Sequence, residues 1–327
     1  MGRPKVFVTR PLPGNALHEL RKHCDIEMQE EDRLAKREEI AEGIKGKDAL
    51  LCLLTDKIDG DLMDQNPNLK IISNYAVGFD NIDIPAATHR KILVTNTPGV
   101  LTETTADLTM GLLLAAARRI VESDKFTREA RYEGWGPSML LGVDVYGKTL
   151  GVVGLGRIGR AVATRAYRGF GMNIIYNDPQ EDFEFNKEFN AKFVGMDSLI
   201  TDSDFISIHV PLTPKTKHMF KEKQFHMMKK NAVLVNTSRG AIIEQAALAK
   251  ALKEKRIFAA ALDVYEDEPR VPVELIPLSN VIMVPHIGSA SLETRSKMAD
   301  MAVQAILDFF SGKMPVNAIN KEVMQKK

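Results

Sequence analysis

Cysteine is scarce in this chain. Cys24 and Cys52 are the only two in 327 residues. They show no Cys-x-x-Cys spacing, which excludes a disulfide framework or a cysteine zinc site and suits a reducing compartment. Both are expected to be buried small hydrophobes. Excess charge is missing too. Lys and Arg total 44 against 43 Asp and Glu, and no basic run offers a footprint for nucleic acid. Long apolar runs are also absent. The longest, Met110 to Ala117, falls far short of the roughly 20 residues that span a bilayer. The N-terminus opens into the strand-like Lys5-Val6-Phe7-Val8-Thr9, not a signal-peptide block. The expectation is a soluble, cytoplasmic protein that needs no metal, membrane or nucleic acid.

What is present is organised around Thr149 to Asp178. Leu150-Gly151-Val152-Val153 runs into Gly154-Leu155-Gly156-Arg157-Ile158-Gly159, a helical run follows, and Ile174-Ile175-Tyr176-Asn177 ends in Asp178. This reads as strand, turn, helix, strand. Gly154 permits the tight turn, Gly156 lets the backbone approach a pyrophosphate, and Gly159 lets helix and strand pack closely. Phosphates would sit at the helix N-terminus, where unpaired amides and the helix dipole favour an anion. An acid at Asp178, about 20 residues beyond the last glycine, completes the dinucleotide fingerprint.

At 327 residues the chain is long for one core, so two domains are expected. Strand-like and helical segments alternate from the start. Strands are predicted at Val6 to Thr9, Asp25 to Met28, Ala49 to Leu54, Leu69 to Tyr75 and Ile92 to Thr95, with helices near Ala16 to Lys22 and Arg37 to Ile44. This implies a parallel sheet wrapped by helices over about the first 100 residues. Thr104 to Ser123 reads as one apolar helix, with Arg118-Arg119 completing its last turn. Lys125 to Tyr146 is polar and irregular. It carries Trp135, Met139, Leu140 and Leu141, which would stay exposed unless the arm clasped a second subunit. Further strands are predicted at Ala191 to Val194, Phe205 to Leu212, Ala232 to Thr237, Phe258 to Val264 and Val281 to Val284, then a helix over Leu292 to Phe310. Several of these strands are apolar throughout, as strands covered on both faces should be.

In doubly wound sheets ligands bind beyond the carboxyl ends of the strands. Three polar residues stand there: Arg239, Glu268 and His286. An arginine fork can hold a carboxylate or keto oxygen bidentately, an imidazole can hand a proton to a carbonyl, and a nearby carboxylate can orient the ring. Taken singly, each could be a surface cation, a solvated loop acid or a satisfied histidine. Together beside a dinucleotide motif they outline a hydride-transfer site.

At this point the chain resembles the D-2-hydroxyacid dehydrogenase family along essentially its whole length. The matching stretches are Gly154 to Gly159, His209-Val210-Pro211-Leu212-Thr213, Asn236-Thr237-Ser238-Arg239-Gly240, Ala261-Leu262-Asp263-Val264 followed by Glu266-Asp267-Glu268-Pro269, and Pro285-His286-Ile287-Gly288-Ser289-Ala290. The resemblance implies two doubly wound α/β domains. A Rossmann dinucleotide-binding domain over 102–288 would be inserted into a flavodoxin-like substrate domain built from 1–101 and 289–327. It also implies a homodimer, the arm at about 123–147 serving dimerisation. By the same resemblance Arg239 binds the keto acid, His286 is the acid/base and Glu268 pairs with it. The backbone of Val77 and Gly78 would receive the substrate carboxylate, with Leu54 lining the pocket. Thr105, Gly154, Gly156, Arg157, Ile158, Gly159, Asp178, Pro211, Thr216, Thr237, Ser238, Asp263, His286 and Gly288 would line the cofactor.

Asp178 stands where the ribose 2′-hydroxyl of NAD would be held, and a 2′-phosphate there would meet a like charge. NAD(H) is therefore expected in preference to NADP(H). Leu53, Leu54 and Thr55 facing the substrate would make a small, uncharged pocket. Asn74 to Asp83, Pro98 to Thr105 and Pro315 to Val323 look most like the glyoxylate and hydroxypyruvate reductase branch. The alternatives are a D-lactate or other short 2-keto acid reductase, and a corepressor-like protein that senses NADH through the same fold.

Overall fold

The computed structural model describes residues 2–325. Met1, Lys326 and Lys327, which the expected domain ranges include, lie outside the described residues. The chain divides into two compact units, the boundaries falling after Leu101 and after Gly288.

The first unit carries five parallel strands: β1 (Lys5–Val8), β2 (Asp25–Met28), β3 (Ala49–Leu53), β4 (Ile71–Tyr75) and β5 (Leu93–Thr95). Their order is β2-β1-β3-β4-β5, the flavodoxin-like arrangement. Side chains alternate between two cores, as the period of two requires. Leu51 and Ile71 face the cluster that holds the helices Ala16–His23 and Leu292–Phe310, whereas Leu50 and Ile72 face the opposite cluster. Cys24 and Cys52 are both buried, one in each cluster.

The second unit, Thr102–Gly288, carries β6 (Thr149–Val153), β7 (Asn173–Asn177), β8 (Lys192–Phe193), β9 (Phe205–Ile208), β10 (Val233–Asn236), β11 (Ala259–Leu262) and β12 (Val281–Met283). The sheet order β12-β11-β10-β9-β6-β7-β8 reverses direction between β6 and β9, the switch point at which Rossmann sheets take their ligands. All pairings are parallel, so every strand presents its carboxyl end at one edge. Central strands are covered on both faces: Val233 and Val235 enter one cluster and Leu234 the other.

The strand β9 is four residues shorter than the apolar run Phe205 to Leu212 predicts. The ladder continues only through His209, whose N–H donates to the Val153 carbonyl at 2.7 Å, and Pro211 has no N–H to offer.

The predicted single helix over Thr104 to Ser123 is two helices, Thr102–Ala117 and Ile120–Arg128. The break has a tertiary cause. The Ala117 carbonyl accepts from the Val143 N–H at 2.9 Å, and a Cβ on Gly142 would lie 2.2 Å from that carbonyl oxygen. The returning chain therefore occupies the helix end, and Arg119 takes a left-handed φ of 53° to start the next helix. Lys125 to Arg128, expected to be irregular, belong to that second helix.

The helix Arg157–Phe170 shows why the glycine run is spaced as it is. Gly159, Val162, Ala163 and Ala166 form its buried stripe. A Cβ at Gly159 would sit 2.1 Å from the Gly154 carbonyl oxygen, and Gly154 itself holds φ at 93°. At Gly156 a Cβ would meet nothing within 4 Å. Gly159→Ala should therefore cost about 1–3 kcal/mol or more in urea unfolding, and Gly156→Ala under about 1 kcal/mol. Equal losses at the two positions would contradict this packing.

Candidate active site

The carboxyl edge of the seven-stranded sheet collects most of the residues singled out from the sequence. Gly154 follows β6, Pro211 follows β9, Thr237 to Arg239 follow β10, Asp263 to Glu268 follow β11, and His286 to Gly288 follow β12. Each ladder runs one step past its strand. Asp263 N–H donates to the Asn236 carbonyl at 2.9 Å and Val284 N–H to the Leu262 carbonyl at 2.9 Å.

His286 and Glu268 meet directly. His286 Nδ1 lies 2.8 Å from Glu268 Oε2, with the two side chains 27% and 28% exposed. The other carboxylate oxygen accepts from the Tyr265 N–H at 3.0 Å. A carboxylate held this way fixes the imidazole through Nδ1–H and leaves Nε2 as the proton-bearing atom available to a reactant. Burial pushes the Glu268 carboxyl up. The bond and charge of His286, the Tyr265 amide and the Arg239 charge outweigh burial, so the carboxyl lies below its ordinary value. The His286 backbone is left-handed, at φ 52°, and its N–H donates to the Asp263 carbonyl at 2.9 Å.

Asp263 is buried beneath this turn. Its Oδ1 accepts from the Ile287 N–H at 2.6 Å and its Oδ2 from the Gly288 N–H at 2.8 Å. Burial pushes its carboxyl up from the ordinary value, against these amides and the His286 charge. Gly288 is further tied by its carbonyl, which accepts from Thr105 Oγ1 at 3.0 Å.

The loop bearing Arg239 is held from both sides. Asn236 Nδ2 donates to the Arg239 carbonyl at 2.9 Å, its Oδ1 accepts from the Ser238 N–H at 3.0 Å, and Ser238 Oγ donates to the Val210 carbonyl at 2.8 Å. The next residue must be glycine, because a Cβ at Gly240 would lie 1.9 Å from the Tyr265 carbonyl carbon. The turn after Arg239 and the loop leading to Glu268 therefore press backbone to backbone. Thr237 Oγ1 is 2.9 Å from Thr109 Oγ1.

At the glycine turn, Asp178 Oδ2 accepts from the Leu155 N–H at 2.8 Å, which places the carboxylate beside the start of the helix Arg157–Phe170. Arg157 is exposed in the first turn and Ile158 half-buried. Thr216 Oγ1 donates to the Pro211 carbonyl at 2.6 Å.

Leu54, Val77 and Gly78 belong to the first unit, at the carboxyl ends of β3 and β4. Leu54 is exposed, whereas Leu53 packs against a core cluster, so the two leucines part company.

Four contributors escaped the sequence reading. Tyr265 is buried, its hydroxyl donates to the Val284 carbonyl at 3.0 Å, and burial pushes its pKa up to about 12. Asn236 stands in a quoted motif but had no role there. His209 pairs through Nε2 with Ser207 Oγ at 2.7 Å, and burial drives it down to about 3, so it is a neutral ring at the switch point. His218 pairs with Glu266, joining the loop after Pro211 to the one before Glu268. Tyr265 and His218 bond to partners distant in sequence, whereas Asn236 and His209 stand inside quoted motifs and bond within three residues, so only their place in or beside the motifs could have flagged them.

Residues 110–288 match the family model for the D-isomer specific 2-hydroxyacid dehydrogenase NAD binding domain. The chain belongs to the D-2-hydroxyacid dehydrogenase family. It is an oxidoreductase with a nicotinamide-dinucleotide-binding domain of the Rossmann type. Among its relatives are proteins named glyoxylate reductase from Korarchaeum cryptofilum, 50% identical with 99% of this chain and 98% of that one covered, and from Thermococcus litoralis, 50% identical with 98% of each covered. Among solved structures, a Thermus thermophilus protein aligns with a TM-score of 0.91 at 41% identity, covering 96% of this chain and 99% of that one. An NADPH-dependent glyoxylate/hydroxypyruvate reductase from Sinorhizobium meliloti, solved with NADP and malonate, aligns at 0.88 and 30% identity over 100% and 99%. No helix among the described residues is long and apolar enough to cross a membrane.

The Glu268–His286 pair has a pH signature. Because the Glu268 carboxyl is depressed in the folded dehydrogenase, its stabilisation is present above the unfolded value near 4.3 and is lost as pH falls through the lower folded value. Wild type should exceed Glu268→Gln in urea midpoint at pH 6, with the gap closing below about pH 4. A gap that persists unchanged at pH 3 would remove the ion pair as its cause.

Proposed function

We propose that this enzyme reduces glyoxylate, and hydroxypyruvate, to the corresponding 2-hydroxy acid with NADH. The observation that carries the reading is the His286 Nδ1 contact with Glu268 Oε2 at 2.8 Å, on the sheet edge that also bears Arg239 and the glycine turn. The dinucleotide fits the residues present: Gly156 leaves open space at the helix start, and Asp178 sits beside it. Bound there, the reduced nicotinamide supplies a hydride to the carbonyl carbon.

The protein's own groups do the rest. Arg239 holds the keto and carboxylate oxygens through its planar fork, which a lysine's point charge could not match. His286 donates the Nε2 proton to the carbonyl oxygen, while Glu268 fixes the ring and stabilises the conjugate pair. Val77 and Gly78 offer backbone amides to the substrate carboxylate, and Leu54 keeps the pocket small. General acid catalysis contributes typically about 10² to 10⁴-fold, with positioning supplying the remainder. Thr105, Pro211, Thr216, Thr237, Ser238, Asp263 and Gly288 line the cofactor. The glyoxylate reductase names of full-length relatives at 50% identity support the substrate.

Asp178 supports NADH over NADPH. A 2′-phosphate about 4 Å from it would meet repulsion of roughly 1–4 kcal/mol, or about ten- to a thousandfold in affinity. The NADPH-dependent relative at 30% identity makes this a property to measure on this chain. In steady-state assays with glyoxylate, kcat/KM should favour NADH by at least about tenfold. His286→Ala should retain NADH binding while turnover falls at least about a hundredfold. Near-normal turnover in that variant, or equal use of NADPH, would each defeat the corresponding part of the reading.

The same reading includes a homodimer joined through the arm. Trp135, Leu141 and Tyr146 are 82%, 61% and 80% exposed, a large apolar surface for one segment. Light scattering should give twice the 36.4 kDa of one chain. A single-chain mass at micromolar concentration would refute it.

A further inference from the structure

The loops after β3 and β4 in the first unit are stitched together by asparagine side chains. Asn81 Nδ2 donates to the Leu53 carbonyl at 3.0 Å and to the Asp56 carbonyl at 3.0 Å. It also lies 3.4 Å from Asn74 Oδ1. Asn74, fully buried on β4, donates through Nδ2 to the Gly78 carbonyl at 2.9 Å and to Asn81 Oδ1 at 3.2 Å. Asn96 Nδ2 donates to the Val77 carbonyl at 2.7 Å. The remaining carbonyl of this stretch, Ala76, accepts from the Thr97 N–H at 2.8 Å. The far side of the first loop is pinned by Asp56, whose Oδ2 accepts from the Leu53 N–H at 2.8 Å and from Thr9 Oγ1 at 2.6 Å.

Three successive carbonyls, Ala76, Val77 and Gly78, are thus committed to partners. In a trans peptide the carbonyl and the following N–H point in opposite directions. Anchoring those carbonyls therefore turns the N–H groups of Val77, Gly78 and Phe79 away from the anchors. Among the described residues, no acceptor is bonded to any of these three donors. Unpaired, half-exposed amides in series suit an anion, and they keep that orientation only while the carbonyls stay tethered.

We propose that Asn74, Asn81 and Asn96 are positioning residues that hold the Val77–Gly78 amides in the orientation that receives the substrate carboxylate, with Asn81 locking the Leu54 loop to the same frame. The inference rests on the proposed role of Val77 and Gly78 in the reductase reading. The asparagines touch neither substrate nor cofactor. Their loss should weaken capture of the keto acid while leaving NADH binding and the proton-transfer pair intact.

The test uses the full chain with NADH bound. The probe is oxamate, a carboxylate-bearing mimic of a 2-keto acid, titrated against wild type and the variants Asn81→Ala, Asn81→Asp and Asn96→Ala. Oxamate Kd and glyoxylate KM should both rise about tenfold or more. The Kd for NADH and kcat at saturating glyoxylate should stay within about threefold of wild type. Asn81→Asp, which keeps the size but turns donors into acceptors facing two carbonyls, should be at least as impaired as Asn81→Ala. Should Asn81→Ala fail to fold, Asn96→Ala, whose contact is half-buried, carries the same expectation. Folded variants with unchanged oxamate Kd and KM would overturn the proposal, as would a fall in kcat with KM unchanged. Failure of the reductase reading would show elsewhere, as a wild-type enzyme that turns over none of the 2-keto acids.

Discussion

The geometry of the second unit's ligand edge hangs on one buried carboxylate. Asp263 follows β11 and receives the amides of Ile287 and Gly288 on its two oxygens, so the chain leaving β12 is bent back to the end of β11. That bend fixes where His286 stands, and the position of His286 fixes what Glu268 can reach. Removing one partner from such a network leaves buried donors unpaired, which costs about 1–3 kcal/mol per group. The family resemblance implies that Asp263 lines the cofactor; its bonds in the structure go to the backbone that follows the histidine.

The same logic recurs around the edge. Each candidate site residue comes from a loop that polar atoms hold in place: Asn236 for Arg239 and Tyr265 for Glu268 from within the same segment, Ser238 through the Val210 carbonyl of the neighbouring loop, and Thr105 of the helix Thr102–Ala117 for Gly288. Apolar strands supply a platform covered on both faces, and the polar stitching fixes the loops that stand on it. The first unit repeats the device with amides in place of side chains.

Sequence pattern revealed the platform far better than the stitching. Central strands such as β9 and β10 are legible because fully buried parallel strands are near-continuous apolar runs, whereas the edge strand Asp25 to Met28 alternates, and its bounds and those of the helix Leu292 to Phe310 match the expected ones to the residue. The glycine turn and the Glu268 and His286 loops were legible because their chemistry is confined to short motifs. Asn236 and His209 apart, what escaped depends on a partner distant in the chain. Nothing local distinguishes Thr104 to Ser123 from one continuous helix; the interruption comes from Gly142 and Val143, about 25 residues on, which take the Ala117 carbonyl. Asn81 likewise looks like an ordinary loop residue until the carbonyls of Leu53 and Asp56 are brought to it.

The left-handed backbone at His286 carries a cost that seven other non-glycine residues among those described, Arg119 included, also bear. A residue with a Cβ in that region gives up about 1 kcal/mol relative to glycine, and asparagine tolerates it better than histidine does. Selection for a durable fold alone would drift this position toward glycine or asparagine. With His286 as the proposed proton donor, position 286 becomes a place where thermal robustness and turnover pull in opposite directions, and a poor target for stabilisation by glycine or asparagine.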